Sequence, residues 1–172
     1  HIAAGSTRTL DVSRHCVPIC LVAAESQDHW RQARQFVEEY AASLNVDLSF
    51  QDIKYEVENL ETEYAGPTGV FLLAEKDSAY LGCIALRRFK EGIGEIKRLY
   101  VAPAGRGHGV GRCLVEGVVA KARQIGYTRL VLDTLPSMKE AQKLYATLGF
   151  TLIAPYRFNP VAGTAFLEKI LH

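Results

Sequence analysis

Gly94-Glu-Ile-Lys-Arg-Leu-Tyr-Val101, followed by Arg106-Gly-His-Gly-Val-Gly111 and a helical pattern running to Ile125, is the stretch that decides how this chain folds. It reads as a strand, a glycine-rich turn and a helix. Val110, Leu114, Val118 and Ala122 recur at helical spacing on the inner face, and Gly126 stops the run. Glycines at 107, 109 and 111 allow the backbone to approach a ligand without a Cβ in the way, and the helix start adds the positive end of its dipole. The segment is therefore a seat for a phosphate or pyrophosphate. Arg106, Gly107, His108, Gly109, Val110, Gly111 and Arg112 are its candidate contacts.

Two common phosphate motifs do not fit. No Lys-Ser or Lys-Thr follows these glycines, which excludes a P-loop. Gly105/Gly107 is followed by Val110 and Gly109/Gly111 by Leu114, which excludes the dinucleotide fingerprint. What remains is [QR]-x-x-G-x-[GA], filled by Arg106, Gly109 and Gly111. With this loop the chain resembles the GCN5-related N-acetyltransferases. Ala141-Gln-Lys-Leu-Tyr-Ala-Thr-Leu-Gly-Phe150 is similar to that family's A-x-x-x-Y-x-x-x-G-F helix. Glu95-Ile96 with Leu99 and Val101 is similar to its glutamate-bearing strand. The resemblance runs from about Val70 to Leu171 and is most specific between Glu95 and Phe150.

The resemblance implies an α/β fold, with a mixed, mostly antiparallel central sheet and helices on both faces. It implies acetyl-CoA as co-substrate, its pantetheine arm lying along the strand. The backbone of Leu99 would polarise the acetyl carbonyl and that of Val101 would hold the arm. It implies Tyr145 as general acid and Glu95 as base, acting directly or through a water. Strand alternation adds that Glu95 shares parity with Leu99 and Val101, so its carboxylate is expected on the face where the arm binds. The competing readings are a core tyrosine at 145 and a carboxylate at 95 paired with Lys97 or Arg98. Met138 stands where many members carry a cofactor-holding asparagine, leaving Ser137 or main-chain groups for that task. His108 belongs to the variable middle of the loop.

The expected activity is transfer of an acetyl group to the primary amine of a small molecule in a ternary complex. The alternatives are a protein or peptide N-acetyltransferase and a non-catalytic acyl-CoA sensor. A homodimer is possible for such a domain. The 172 residues suit one domain with a sizeable core, and residues 1–15 read as a loose lead-in. Net charge is +1 with both signs interspersed, so neither nucleic acid nor a membrane is an expected partner. Cys16, Cys20, Cys83 and Cys113 lack the partners of a zinc site, so no metal is expected, and reduced thiols suit a cytoplasmic location. No apolar run approaches the ~20 residues of a membrane span.

Along the chain, Val17 to Ala23 reads as a first strand and Ser26 as the cap of an amphipathic helix with Trp30, Ala33, Val37, Tyr40, Ala41 and Leu44 on one face. A second helix is expected from Ser49, with Asp52 as a capping-box-like partner. Its inner face is Ile53, Val57, Leu60 and Tyr64, and Glu56, Glu58, Glu61 and Glu63 read as a solvated face. A hairpin turns at Lys76-Asp77-Ser78. Arg129 to Asp133, Thr151 to Ile153 and Thr164 to Ile170 read as strands, and Ser137 as a helix cap.

Overall fold

A computed structural model describes residues 18–44 and 47–172, with the backbone alone for 47–52. The lead-in, His15 and Cys16 lie outside the described residues. The elements in chain order are β1 Cys20–Ala23, α1 Gln27–Ser43, α2 Asp47–Glu58, α3 Leu60–Tyr64, β2 Val70–Lys76, β3 Ala79–Lys90 and β4 Ile93–Val101. They continue with α4 Val110–Ile125, β5 Arg129–Thr134, α5 Lys139–Thr147, β6 Thr151–Leu152 and β7 Ala165–Ile170. Among the described residues the strands form one seven-stranded sheet in the order β1-β2-β3-β4-β5-β7-β6. Every pairing is antiparallel except β4 with β5.

Each face of the sheet is covered, as the expected mixed α/β fold requires. On one face Leu114, Val118 and Ala122 of α4 and Tyr145 of α5 pack on Leu72, Ile84, Leu86, Ile96 and Leu132. On the other, Trp30, Ala33, Phe36 and Val37 of α1, with Leu60 and Tyr64 of α3, pack on Phe71, Leu73, Cys83 and Ala85. Local chemistry sets the boundaries. Ser26 caps α1 by accepting the His29 N–H at 3.1 Å, and the His29 ring accepts the Ser26 N–H at 3.2 Å, a capping box with histidine in the glutamate's place. Asp77 and Ser78, at φ +50° and +63°, make the β2–β3 turn. Gly126, at φ +107°, ends α4 by donating to the Ala122 carbonyl.

Three expectations need correction. The second helix begins at Asp47 rather than at Ser49, and it breaks at Asn59, whose side-chain amide donates to the Tyr55 carbonyl at 2.8 Å. The cap of α5 is Met138, without a side-chain hydrogen bond, not Ser137. Glu56 is buried, not solvated. It stands three residues after Ile53 and four before Leu60, inside the apolar stripe, and it survives there by accepting from Arg98 Nε at 2.6 Å and from the Tyr64 hydroxyl.

Candidate active site

β4 and β5 are paired only at Ile93–Arg129, Gly94–Leu130 and Glu95–Val131. Beyond Glu95 the two strands part. Within β4, Arg98 takes φ +61°, and Ile84 alone stands opposite both Arg98 and Leu99 in the β3 register. This is a β-bulge, one residue extra on β4. An arginine in the left-handed region costs about 1–2 kcal/mol. The Glu56 bond at 2.6 Å, the Tyr40 ring 5.4 Å from the guanidinium and the Cys83 thiol donating to the Arg98 carbonyl at 3.3 Å hold it there. Burial disfavours the Arg98 charge, but Glu56, Tyr64 and Tyr40 together outweigh it and raise its pKa.

The bulge reverses the side-chain alternation. Ile96, Leu99 and Val101 face α4, whereas Tyr100 faces α1, its hydroxyl donating to Glu39 at 2.8 Å. Glu95 pairs with Arg87 on that second face. The expectation that Glu95 shares a face with Leu99 and Val101 is therefore wrong, because it counted β4 as an unbroken strand. Glu95 is 0% exposed. It accepts from Arg87 Nε at 3.0 Å, from the Tyr156 hydroxyl at 2.8 Å and from Arg157 Nη2 at 2.6 Å. Its partners are thus neither Lys97 nor Arg98. The Arg87 guanidinium also reaches Glu63 at 3.1 Å, and burial together with the Glu95 charge pushes the Tyr156 phenol up.

The parted strand opens a groove of about 710 Å³. Leu99, Val101, Arg106, Gly107, Gly109, Val110, Gly111 and Arg112 line it on one side, and Ser137, Met138, Lys139 and Ala141 on the other. The N–H of Ala102 is spent on the Leu81 carbonyl of β3 at 2.8 Å, so strand alternation directs those of Leu99 and Val101 to the open side. At the groove's end, Gly107 and Gly109 take φ +79° and +74°, and a Cβ on either would meet nothing within 4 Å. No acceptor among the described residues takes the backbone N–H groups from Gly107 to Arg112. Unspent donors at a helix start, in an open cradle, fit a pyrophosphate.

Two loop residues differ from expectation. His108 is exposed and does not line the groove. A Cβ on Gly111 would come within 3.3 Å of Leu144 and 3.6 Å of Val101, so this glycine admits close packing of α4 on α5 and β4. Arg112 lines the groove while its Nε donates to Glu116 at 2.9 Å.

From the groove a neck of about 40 Å³ leads inward, lined by Tyr145, Tyr40, Lys97, Arg98, Leu99, Asp133 and Met138. Tyr145 is buried with its ring edge-on to Phe150, centroids 5.2 Å apart. Burial, then the charges of Tyr40 and Asp133, hold its phenol well above the usual range, so it stays protonated. Past the neck lies a pocket of about 180 Å³, lined by Tyr40, Leu44, Lys97, Arg98, Asp133, Arg157 and Asn159 among others. Tyr40 borders all three spaces. Glu95 borders none of them. Sequence reading missed Asp133 and Arg157, and saw in Tyr40 only a packing residue.

A parallel strand pair that parts beside a glycine-rich helix start, with a groove along the parted strand, suits an extended ligand with a phosphate tail. The chain belongs to the Acetyltransferase (GNAT) family, whose profile matches residues 30–150. It is accordingly an acetyl-CoA-dependent acyltransferase. It is 35% identical to an uncharacterised N-acetyltransferase of Schizosaccharomyces pombe, over 78% of this chain and 84% of that one. A GNAT acetyltransferase from Staphylococcus aureus shares the fold at TM-score 0.74 and 20% identity, covering 90% of this chain and 100% of that one. YncA of Salmonella typhimurium, solved with its cofactor acetyl-CoA, matches at TM-score 0.63 and 21% identity, over 90% and 94%. No helix among the described residues is long and apolar enough to cross a membrane.

Proposed function

We propose that this chain transfers the acetyl group of acetyl-CoA to the primary amine of a small molecule by direct attack in a ternary complex. The observation that carries the reading is that groove, neck and pocket share walls: Tyr40 lines all three, Leu99 and Met138 line groove and neck, and Asp133 lines neck and pocket, with Tyr145 in the neck. A thioester laid along β4 would bring its carbonyl to the neck, where an amine held by Asp133 can reach it.

Acetyl-CoA supplies the activated acyl group. The backbone N–H groups from Gly107 to Arg112, with Arg106 and Lys139, hold the pyrophosphate, and the backbone of Val101 holds the pantetheine arm. The Leu99 N–H stabilises the negative oxygen that develops as the amine nitrogen attacks. A C–N bond forms and the C–S bond breaks. Asp133 takes the proton that the amine loses, and Tyr145 gives one to the departing thiolate. Glu95 acts here as a positioning residue, anchoring Tyr156 and Arg157, rather than as the base. Among the described residues no cysteine lines the three spaces, and burial pushes the Cys83 thiol up, which favours direct transfer over an acetyl-enzyme.

Free-thiol release from acetyl-CoA across a panel of amines tests the proposal, with mass spectrometry of the amine as the second readout. Amine-dependent release with an equal yield of acetylated amine is expected. CoA binding without release for any amine would make the domain a sensor, and acetylation confined to peptides would overturn the small-molecule reading.

A further inference from the structure

The pocket past the neck carries more hydrogen-bond donors than its own acceptors satisfy. Lys97, Arg98 and Arg157 bring three cations to its wall, against the single carboxylate of Asp133. Arg98 is spent on Glu56. Lys97 is not: its ammonium makes no hydrogen bond to another described residue, and its nearest carboxylate oxygen, on Asp133, is 4.0 Å away. Only 12% of its side chain is exposed. Arg157 spends Nη2 on Glu95, while its Nε is buried and has no hydrogen-bond partner. A buried donor left unmatched costs about 1–3 kcal/mol. Arg157 Nε is such a donor, and Lys97, with no acceptor in hydrogen-bond reach among the described residues, adds an unpaired cation to the same wall.

We infer that the acceptor amine also carries a carboxylate, as an amino acid does, and that Lys97 and the Nε–H of Arg157 bind it while Asp133 receives the ammonium. A carboxylate offers about four lone-pair sites, enough for both donors, and a zwitterion leaves the pocket's charge balance unchanged. An amine with no anion would leave Lys97 and Arg157 Nε unmatched and add a third positive charge beside them. Leu44, Ile53, Leu135 and Val161 add apolar wall that suits the rest of such a molecule. At about 180 Å³ the seat holds roughly six waters' worth of volume, room for a compact head group. Burial and the neighbouring Arg98 already lower the Lys97 pKa, against the opposing pull of Glu95 and Asp133, which fits a lysine whose best counter-charge arrives with the ligand.

This rests on the small-molecule reading above, and the test separates the two. The common L-amino acids and β-alanine are compared with their carboxamides for thiol release at neutral pH. The carboxamides hold more of their amine unprotonated there, so a preference for the acids runs against intrinsic reactivity. In parallel, calorimetry with CoA-saturated protein compares N-acetyl-amino acids with N-acetyl-amino-acid amides, which needs no turnover. At least one free acid is expected to exceed its amide more than tenfold in kcat/KM and in product affinity. Lys97→Met and Arg157→Gln should each bring that ratio toward one, whatever the absolute rate. Amides that equal or exceed their acids in both measurements overturn the carboxylate seat and leave acetyl transfer standing. Acid-selective binding without turnover of any amine keeps the seat and overturns the proposed activity.

Discussion

Glu95 and Leu99 leave opposite faces of the same strand, because Arg98 adds one residue to β4 between them. The extra residue carries Glu95 away from the groove and into a cage of Arg87, Tyr156 and Arg157. It also turns the Leu99 and Val101 backbone toward the open side, where β5 has parted. One bulge thus separates a carboxylate that holds the architecture from the backbone groups that face the groove.

Glu95→Gln is expected to act on stability. Removing a buried charge that satisfies two guanidinium groups costs about 3 kcal/mol, read from urea unfolding. The pH profile of kcat/KM should keep its shape in this variant. Loss of its rising limb would return the base to Glu95.

Asp133→Asn should leave acetyl-CoA affinity unchanged while lowering kcat/KM at neutral pH by about 10²-fold. The deficit should shrink at high pH, where free amine becomes abundant without help. A variant whose profile parallels the wild type at every pH would remove Asp133 from proton transfer.

For Tyr145→Phe the ring packing on Phe150 is kept and only the hydroxyl is lost. A fall in kcat of about 10²-fold with unchanged acetyl-CoA affinity is expected. The acid works while protonated, and burial raises its pKa above 10, so Tyr145 should add no falling limb below pH 10. Such a limb, absent from the Phe variant, would contradict this.

Gly109→Val forces a β-branched residue to φ +74° and puts its side chain into the open cradle. CoA affinity measured by calorimetry should fall more than tenfold, about 1.4 kcal/mol. Gly111→Val should instead act first on stability, since its side chain meets Leu144 and Val101. Equal effects of the two on thermal unfolding, with CoA binding intact, would contradict the division of roles.

Lys97 gives a pH dependence with a definite sign. Its folded pKa lies below the unfolded 10.5, so the unfolded chain binds more protons between the two values, and its contribution to stability improves as pH rises through that window. Below the folded value its penalty is present in full. The stability advantage of Lys97→Met should therefore be largest at low pH and shrink toward pH 10. An advantage that grows with pH would reverse the sign and the interpretation.

The loop-and-helix seat was legible because its signals are local: glycines at fixed spacing, a helix period and a glycine stop. The splayed strand was not. Arg98 is neither Gly nor Asn, so nothing in its identity announces a positive φ, and every parity argument across it failed. Glu56 was readable in principle, since it sits in the apolar stripe of its helix, but its partner lies on a distant strand. Asp133 lies one residue from the end of β5, a strand whose neighbours sequence cannot choose. Arg157 and Asn159 belong to an irregular loop tied down by the Asn159 amide on Asp133 at 3.2 Å and the Arg157–Glu95 ion pair, both long-range contacts.

Direct transfer is tested most sharply by a rapid-quench single turnover, with enzyme in excess over acetyl-labelled acetyl-CoA and a turned-over amine present. The label should pass from CoA to the amine in one phase, with none on the protein at any time point. Label that appears on the protein before the acetylated amine, and then decays into it, would contradict the ternary complex and require a nucleophile in the groove.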